Sequence, residues 1–375
     1  MITFFSNYIN DHQIPFCEAM YKLTDGEFRF VATTCMSEER RKLGYQDKSE
    51  QFPFVIKSFE GDNRETALVL GRESDVVIMG EAPEEFITER LKENKLTFRY
   101  YERFFKDGKW RIFDPRVLKA YYKQHTRYRK KNLHILCASA YTAPDCRFIS
   151  AYPNKAYKWG YFPVVKRYED VGLIMQKKKP NTILWVARLI PLKHPEHPIQ
   201  VARKLKKAGY PFMLNIIGIG PMEEEMRGLI EKYDLQNEVH LLGAMPTESV
   251  RKYMEESEIF LFTSNRKEGW GAVLNESMNS GCTVVASGAI GSVPYLLENG
   301  KNGFIYKNGS VKDLYKKTKW LLDNPEKRVE MGIEAYHTLT EKWNAETAAK
   351  RLLVLIENIR EGKGTEFMDG PCSKG

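Results

Sequence analysis

The chain has 375 residues, 42% hydrophobic and 29% charged, with a formal net charge of +9. That length implies two or three domains and a core large enough to fold without disulfide or metal staples. Such composition excludes wholesale disorder, a collagen repeat and a disulfide mini-scaffold, and no apolar run approaches the ~20 residues of a membrane span, which excludes a polytopic membrane protein.

In the first half, ITFFS (2–6) reads as a strand, followed by a polar loop at 7–13 and a helix from 14 to about 23. Further strands are predicted at 28–34, 53–59, 75–80 and 133–140, with helices near 63–71 and 83–94. TFRYYERFF (97–105) is extended, and a basic helix is expected from about 115 to 130. Residues 150–181, rich in aromatic and basic side chains and ending in QKKKPN, read as a connection. The second half gives strands at 182–189, 212–218, 239–243, 259–264, 283–287 and 303–306. Helices alternate with them at 195–208, 222–232, 247–256, 271–280, 292–298 and 311–322. Short apolar strands alternating with helices are the signature of parallel α/β sheets. The expected fold class is therefore α/β, with two Rossmann-like doubly wound domains facing a central cleft. The expected domains are 1–165 and 166–352, with a C-terminal helix end and disordered tail at 353–375.

Six scattered cysteines form no Cys-x-x-Cys pair and read as buried free thiols. The N-terminus shows no basic n-region and no clean cleavage site, so a cytoplasmic protein is expected.

The strongest chemical signal is SNRKEGWGAVLNESMNSG (264–281) at a strand-to-helix turn. Glu268 precedes the expected helix and Glu276 falls about one and a half turns into it. Gly269 and Gly271 flank Trp270 and let backbone approach a ligand. The amides of Gly271, Ala272 and Val273 would form an anion site. One carboxylate can then accept from a sugar hydroxyl and the other from a ribose, with phosphate between them. Arg188 and Lys193 follow strand 182–189 and suit a diphosphate, whose leaving-group charge they would stabilise. GIGPMEEEM (218–226) places Gly218 and Gly220 after a strand. The third glycine of a dinucleotide fingerprint is missing, so these read as a tight turn or as a modest ligand contact.

In the first half, Asn10, Asp11, His12 and Gln13 follow the first strand. Asp11 suits a helix N-cap, and a polar tetrad lining a cleft is the other reading. Tyr141 and Asp145 follow strand 133–140 and are either cleft residues or a helix cap. Glu102 and Arg103 are either an acceptor-side pair or a surface ion pair. There is no Asp-x-Asp, no zinc-type cluster, no P-loop and no Gly-x-Ser-x-Gly. No metal site is expected.

VARLIPLKHPE, NIIGIGPMEEEM, VHLLGAMPTESVRKYMEESEIFLFTS, KEGWGAVLNESMNSGCTVVASGAIGSVPYLLENGKNGFIY and the tryptophan of EKWNAETAAKRLL occur in that order. Over about 182–352 the chain resembles the donor domain of a retaining GT-B glycosyltransferase of family 4, the group 1 glycosyltransferases. The resemblance implies a nucleotide-diphosphate sugar as co-substrate, with no required metal or other cofactor. It implies that Arg188 and Lys193 neutralise the diphosphate, that Glu276 holds the ribose, and that Glu268 with the Gly269–Gly271 backbone holds the sugar. It further implies that Ala272 and Val273 meet the phosphate and that Ala244 and Met245 flank the base. Retention in this family is explained by front-face attack, the leaving phosphate oxygen taking the acceptor's proton. Two features depart from the family. Relatives often carry Gly-Gly where this chain has Asn10-Asp11-His12-Gln13, and many carry a histidine where this chain has Ser139-Ala140-Tyr141. His12 is the candidate to take part of that role.

The expected function is glycosyl transfer to a glycan or lipid-linked acceptor in surface polysaccharide biosynthesis. The alternatives are an inverting GT-B enzyme with His12 as base, and a basic nucleic-acid-binding protein without catalysis. The nucleic-acid reading leaves 264–281 unexplained, and the charge behind it is local: 103–131 holds eleven basic residues and two acids, Asp107 and Asp114, and so carries the whole +9. Arg116, Lys119, Lys123, Arg127 and Lys130 follow helical steps, interleaved with Tyr121, Tyr122 and Tyr128. That face is either a solvated helix or a dock on an anionic membrane surface, which would place the protein peripherally on the inner face of the cell membrane.

Overall fold

The computed structural model describes residues 1–38 and 46–375. The chain forms two units, one of Met1–Val164 with Asn344–Gly375, the other of Val165–Trp343. The sequence reading carried the second domain to 352. The chain instead returns to the first unit at Asn344, where the helix Ala345–Arg360 begins with Asn344 Oδ1 accepting from Thr347 N at 2.9 Å.

Among its described residues, the first unit is built on seven parallel strands in the order β3-β2-β1-β4-β5-β6-β7. They are β1 Ile2–Ser6, β2 Phe28–Ala32, β3 Val55–Lys57, β4 Val76–Met79, β5 Thr97–Tyr101, β6 Leu133–Cys137 and β7 Ala156–Lys158. Strands such as VVIM in β4 and LHILC in β6 are buried along their whole length, as expected for a parallel sheet covered on both faces. Arg90 is fully buried among this unit's elements, donating to Thr97 Oγ1 and to the carbonyls of Gly71, Ser74 and Leu96 at 2.8–3.0 Å. It ties two helices to the start of β5.

The last residues correct the disordered tail. Lys158 N donates to Ser373 O at 2.7 Å, Cys372 N to Lys158 O at 2.8 Å and Gly375 N to Ala156 O at 2.9 Å. The tail thus pairs with the edge strand β7, antiparallel at Tyr157–Lys374, and satisfies backbone groups an edge leaves open. β7 itself lies within the segment read as a connection.

In the second unit, the described strands run β10-β9-β8-β11-β12-β13, all parallel. They are β8 Lys179–Val186, β9 Met213–Ile217, β10 Val239–Leu241, β11 Ser257–Phe262, β12 Thr283–Ser287 and β13 Gly303–Tyr306. β8 starts within the lysine run taken for a linker. Lys178 Nζ donates to the carbonyls of Ser257 at 2.7 Å and Ser280 at 3.0 Å, so this cation is part of the packing. A helix at Pro325–His337, with proline in its first turn, was not anticipated. Among the described residues no helix is long and apolar enough to cross a membrane.

The basic helix is shorter than its charge periodicity suggested. It spans Pro115–Gln124, with Asp114 Oδ1 accepting from Arg116 N at 2.9 Å as its N-cap. Arg127 lies in a separate 3-10 turn, Thr126–Tyr128, and Lys130 follows it, so neither continues the helical face. Tyr121 faces inward and donates to Phe104 O at 3.0 Å, while Trp110, Phe113, Leu118 and Tyr122 are exposed, Phe113 by 85%.

Two buried histidines of this unit give a stability prediction. Burial, with Lys155 nearby, pulls His134 down to about 3. Burial, with Arg99 nearby, likewise holds His125 well below the usual histidine range. His125 Nδ1 lies 2.6 Å from Tyr152 Oη. Both folded pKa values are depressed, so their contribution is complete above the unfolded value near ~6.5 and is lost as pH falls toward the folded values. Each histidine removes about 1.4 kcal/mol per pH unit below that point. Urea unfolding between pH 7 and 4 should therefore show falling stability, and the slope should flatten in His134→Gln.

Candidate functional site

In the second unit the chain order reverses between β8 and β11, which lie side by side. Ligands of such sheets bind outside the carboxyl ends of the strands at this switch point. Lys193 follows β8 in the 3-10 turn Pro191–Lys193, and Glu268 follows β11. Their side chains, 15% and 14% exposed, meet as an ion pair. Asn265 N donates to Leu192 O at 2.9 Å, and Thr263 Oγ1 donates to Lys193 O at 2.7 Å while accepting from the buried Trp185 Nε1 at 2.8 Å. The backbone beneath both charges is thereby fixed to the core. Arg188 is exposed just beyond β8, and no ion pair joins it to Glu268 among the described residues.

Gly271 has φ +80°, and a Cβ there would stand 2.3 Å from the Phe262 ring, so only glycine fits. That left-handed residue delays the helix, which spans Val273–Asn279 after Ala272. Glu276 therefore sits in the first turn, not one and a half turns in. Ala272, Val273 and Glu276 are partly exposed at this turn.

The donor contact expected of Trp270 is through its backbone, and its side chain belongs to the core. It is fully buried, its Nε1 donates to Asn275 Oδ1 at 2.9 Å, and its ring lies 6.1 Å from Trp343 and 6.2 Å from Tyr295. Trp343 in turn stacks on Tyr295 at 5.6 Å. Both tryptophans of the motif are therefore core residues that hold the loop carrying Glu268.

Gly218 and Gly220 have a packing reason. A Cβ would fall 1.8 Å from Ala187 O at Gly218 and 2.4 Å from Leu189 O at Gly220. The two loops after β8 and β9 pass backbone to backbone there, with Leu189 N donating to Ile219 O at 2.9 Å. Ala244 and Met245 lie in the loop after β10, which Gly218 N joins through Gly243 O at 2.8 Å. The candidate donor residues thus share one edge of one unit, the carboxyl ends of β8 to β11.

In the first unit, Asn10 O accepts from Gln13 N at 2.8 Å and Ile14 N at 3.1 Å, closing a turn before the helix Ile14–Leu23. Asp11 is not the N-cap. It is exposed and pairs with Lys48 at 2.6 Å, while Gln13 holds the cap position. His12 stacks on Tyr161 at 4.3 Å, and Tyr161 Oη donates to Glu102 Oε1 at 2.5 Å. Glu102 also pairs with Lys106, and Arg103 lies over the Tyr141 ring at 4.5 Å. Asp145 is buried and accepts from Phe104 N at 3.0 Å and Phe105 N at 3.3 Å. Burial raises its pKa against those amides. Its place is beneath the loop that carries Glu102 and Arg103, which it positions.

Residues 174–338 match the family described as Glycosyl transferases group 1. The second unit belongs to this family. The putative colanic acid biosynthesis glycosyltransferase WcaL of Salmonella typhimurium is 33% identical over 140 residues, 36% of this chain and 34% of WcaL. The amylovoran biosynthesis glycosyltransferase AmsK of Erwinia amylovora is 30% identical over 186 residues, 48% of this chain and 46% of AmsK. The match thus spans a third to a half of these curated relatives. The crystal structure of Anabaena Alr3699/HepE in complex with UDP aligns with 95% of this chain and 99% of its own at a TM-score of 0.70, with 14% identity. That likeness extends the GT-B fold to the first unit.

Around Lys193 this group 1 glycosyltransferase unit holds residues that sequence reasoning missed. His194 adopts φ 51°, ψ 57°, and its Nδ1 lies 2.8 Å from Glu196 Oε1 while Asn265 Nδ2 lies 3.3 Å from its Nε2. Asn265 Oδ1 accepts from Lys267 N at 3.0 Å, so His194 is linked to the turn bearing Glu268. The ligand-type atoms of His194, Glu196 and His197 lie within 4.8 Å of one another. Their imidazoles, however, are parallel to within 5° at 4.6 Å, so their in-plane lone pairs lie in separate planes and do not converge on one ion. Within the cluster His194 and Glu196 are hydrogen-bonded, while His197 Nδ1 and Glu196 Oε2 are buried without a partner among the described residues. Although burial opposes it, the His194 contact holds the Glu196 carboxyl low, and burial holds His197 below its ordinary value and therefore neutral at pH 7. The H-P-E-H sequence was the available signal.

Proposed function

We propose that the chain transfers a glycosyl group from a nucleotide-diphosphate sugar to a glycan or lipid-linked acceptor of a surface polysaccharide, with retention of configuration and no required metal. The observation that carries this reading is the Lys193–Glu268 pair at the β8/β11 switch point of a group 1 glycosyltransferase unit. The names of the colanic acid and amylovoran relatives support the acceptor class, and the UDP complex of HepE supports the donor class.

The chemistry follows from the charges. When the donor enters, Lys193 exchanges Glu268 for the diphosphate, and Arg188 adds a second cation. Glu268, released, accepts from a sugar hydroxyl, and Glu276 accepts from the ribose. As the C1–O bond to phosphate breaks, Lys193 and Arg188 stabilise the charge that develops on the leaving oxygen. The acceptor oxygen attacks C1 from the same face, and its proton passes to that phosphate oxygen. No protein nucleophile is needed. Product NMR tests this in buffer containing chelator: an α-linked donor should give an α-linked product. A β-linked product would instead favour inversion with His12 as base, and loss of turnover with chelator would overturn metal independence.

The first unit would dock on an anionic membrane surface through 103–131. Trp110, Phe113 and Leu118 stand exposed among Lys109, Arg111, Arg116 and Lys119, the combination that suits headgroups above and acyl chains below. Vesicles of phosphatidylglycerol and phosphatidylethanolamine should sediment the protein at low salt, with binding that fades as salt rises. Trp110→Ala with Phe113→Ala should weaken it by about a hundredfold or more, because each aromatic supplies ~1.5–3 kcal/mol on burial. Absence of low-salt binding would remove this surface from the account.

A further inference from the structure

The sheet of the second unit carries a cavity of about 250 Å³ toward the amino ends of its strands, whereas Lys193 and Glu268 follow the carboxyl ends. Asn215 of β9 pairs across the sheet with Leu184 of β8 and with His240 of β10. Thr182, two residues before Leu184, shares that face. A sheet face covered by helices is normally apolar. Here it presents Thr182, Asn215 and His240 side by side on three neighbouring strands, joined by Ser257 at the start of β11.

These side chains lack partners. Ser257 Oγ and His240 Nε2 are buried with no hydrogen-bond partner, and Ser257 is fully buried. Thr182 and Asn215, 4% and 8% exposed, make no side-chain hydrogen bond among the described residues. Buried polar side chains are almost always satisfied, and each exception needs an explanation. Two such atoms, Ser257 Oγ and His240 Nε2, lie on one cavity beside the side chains of Thr182 and Asn215, and one polar molecule filling it would serve all four.

The lining defines the molecule's chemistry. Two hydroxyls, an amide and an imidazole offer donors and acceptors together, which suits a polyhydroxylated ligand. The cavity carries no free charge for an anion, because Lys179 at its rim is bonded to Glu256 at 2.6 Å. Tyr253 and Met213 add apolar surface for a ring's C–H face. The volume is below the ~300–1,000 Å³ of drug-sized pockets and fits a single ring. We infer that this cavity binds one neutral monosaccharide unit, at a site separate from the donor edge. None of its residues takes part in the proposed transfer, so the inference stands or falls independently of it.

The test titrates the protein with glucose, galactose and N-acetylglucosamine, and with inorganic phosphate as the charged control, with and without UDP. Saturation-transfer NMR and the His240 imidazole resonance report binding. At least one neutral sugar should saturate with a Kd near ~1 mM, shift the His240 resonance and do so equally with UDP present. Phosphate should do neither. Asn215→Leu and His240→Phe should each weaken sugar binding more than tenfold. UDP affinity should be unchanged, and Asn215→Leu should stay folded because it removes an amide that makes no bond in the fold. Should either variant fail to fold, the wild-type His240 resonance and a sugar-soaked crystal decide. The inference is overturned if no sugar saturates, if a crystal soaked in sugar shows water alone in the cavity, if phosphate binds there instead, or if both variants bind sugar normally.

Discussion

Glu268→Ala and Lys193→Ala should each reduce turnover by about 10²–10³, the scale seen when one preorganised charge is removed from a reacting centre. The two side chains are paired without donor, so each holds the other in place until substrate divides them. Removing either leaves a partly buried charge with no opposite, in a loop fixed to the core through Thr263 and Asn265. The fold should survive, because the backbone contacts that shape the loop do not involve either side chain. The double variant should lose much less than the product of the single losses, since the residues act as a unit. Steady-state kinetics with circular dichroism on the three variants checks this. Near-normal turnover in folded Glu268→Ala would remove that residue from the reaction.

Trp270→Ala should act on stability first. Its side chain is fully buried, packs near Trp343 and Tyr295, and satisfies Asn275 Oδ1. Truncating a buried tryptophan costs ~3–5 kcal/mol, and here it also orphans a buried amide. Trp270→Phe should lose less, since it keeps most of the ring. Urea denaturation separates this from a ligand-contact role: a wild-type unfolding midpoint in Trp270→Ala would contradict the core assignment.

Much of this was legible in the sequence because the signals are local. Apolar runs bounded by turn residues located the strands of both sheets except β7, and EGWG between a strand and a helix marked the loop where Glu268 lies. What was missed depends on contacts far along the chain. The tail after Glu361 is polar and glycine-rich, and only the open edge of β7, a strand three residues long, explains why Cys372 and Ser373 are buried. Trp270 sits between two glycines in a loop, where exposure is the natural expectation, and its burial follows from Trp343 more than seventy residues on. The start of the helix at Val273 turns on the φ of Gly271, which sequence spacing does not reveal. Arg127 and Lys130 kept helical spacing past the point where the helix Pro115–Gln124 ends. His194 and Asn265 come together only because β8 and β11 are neighbours.

The central claim is that the carboxyl ends of β8 and β11 hold a nucleoside diphosphate through Lys193. Calorimetric titration of UDP into wild-type protein and Lys193→Ala, in buffer containing chelator, tests it most directly. Saturable binding by the wild type and binding at least tenfold weaker in the variant, about 1.4 kcal/mol, is the expected result. No binding to the wild type, or equal affinity in both, would contradict it.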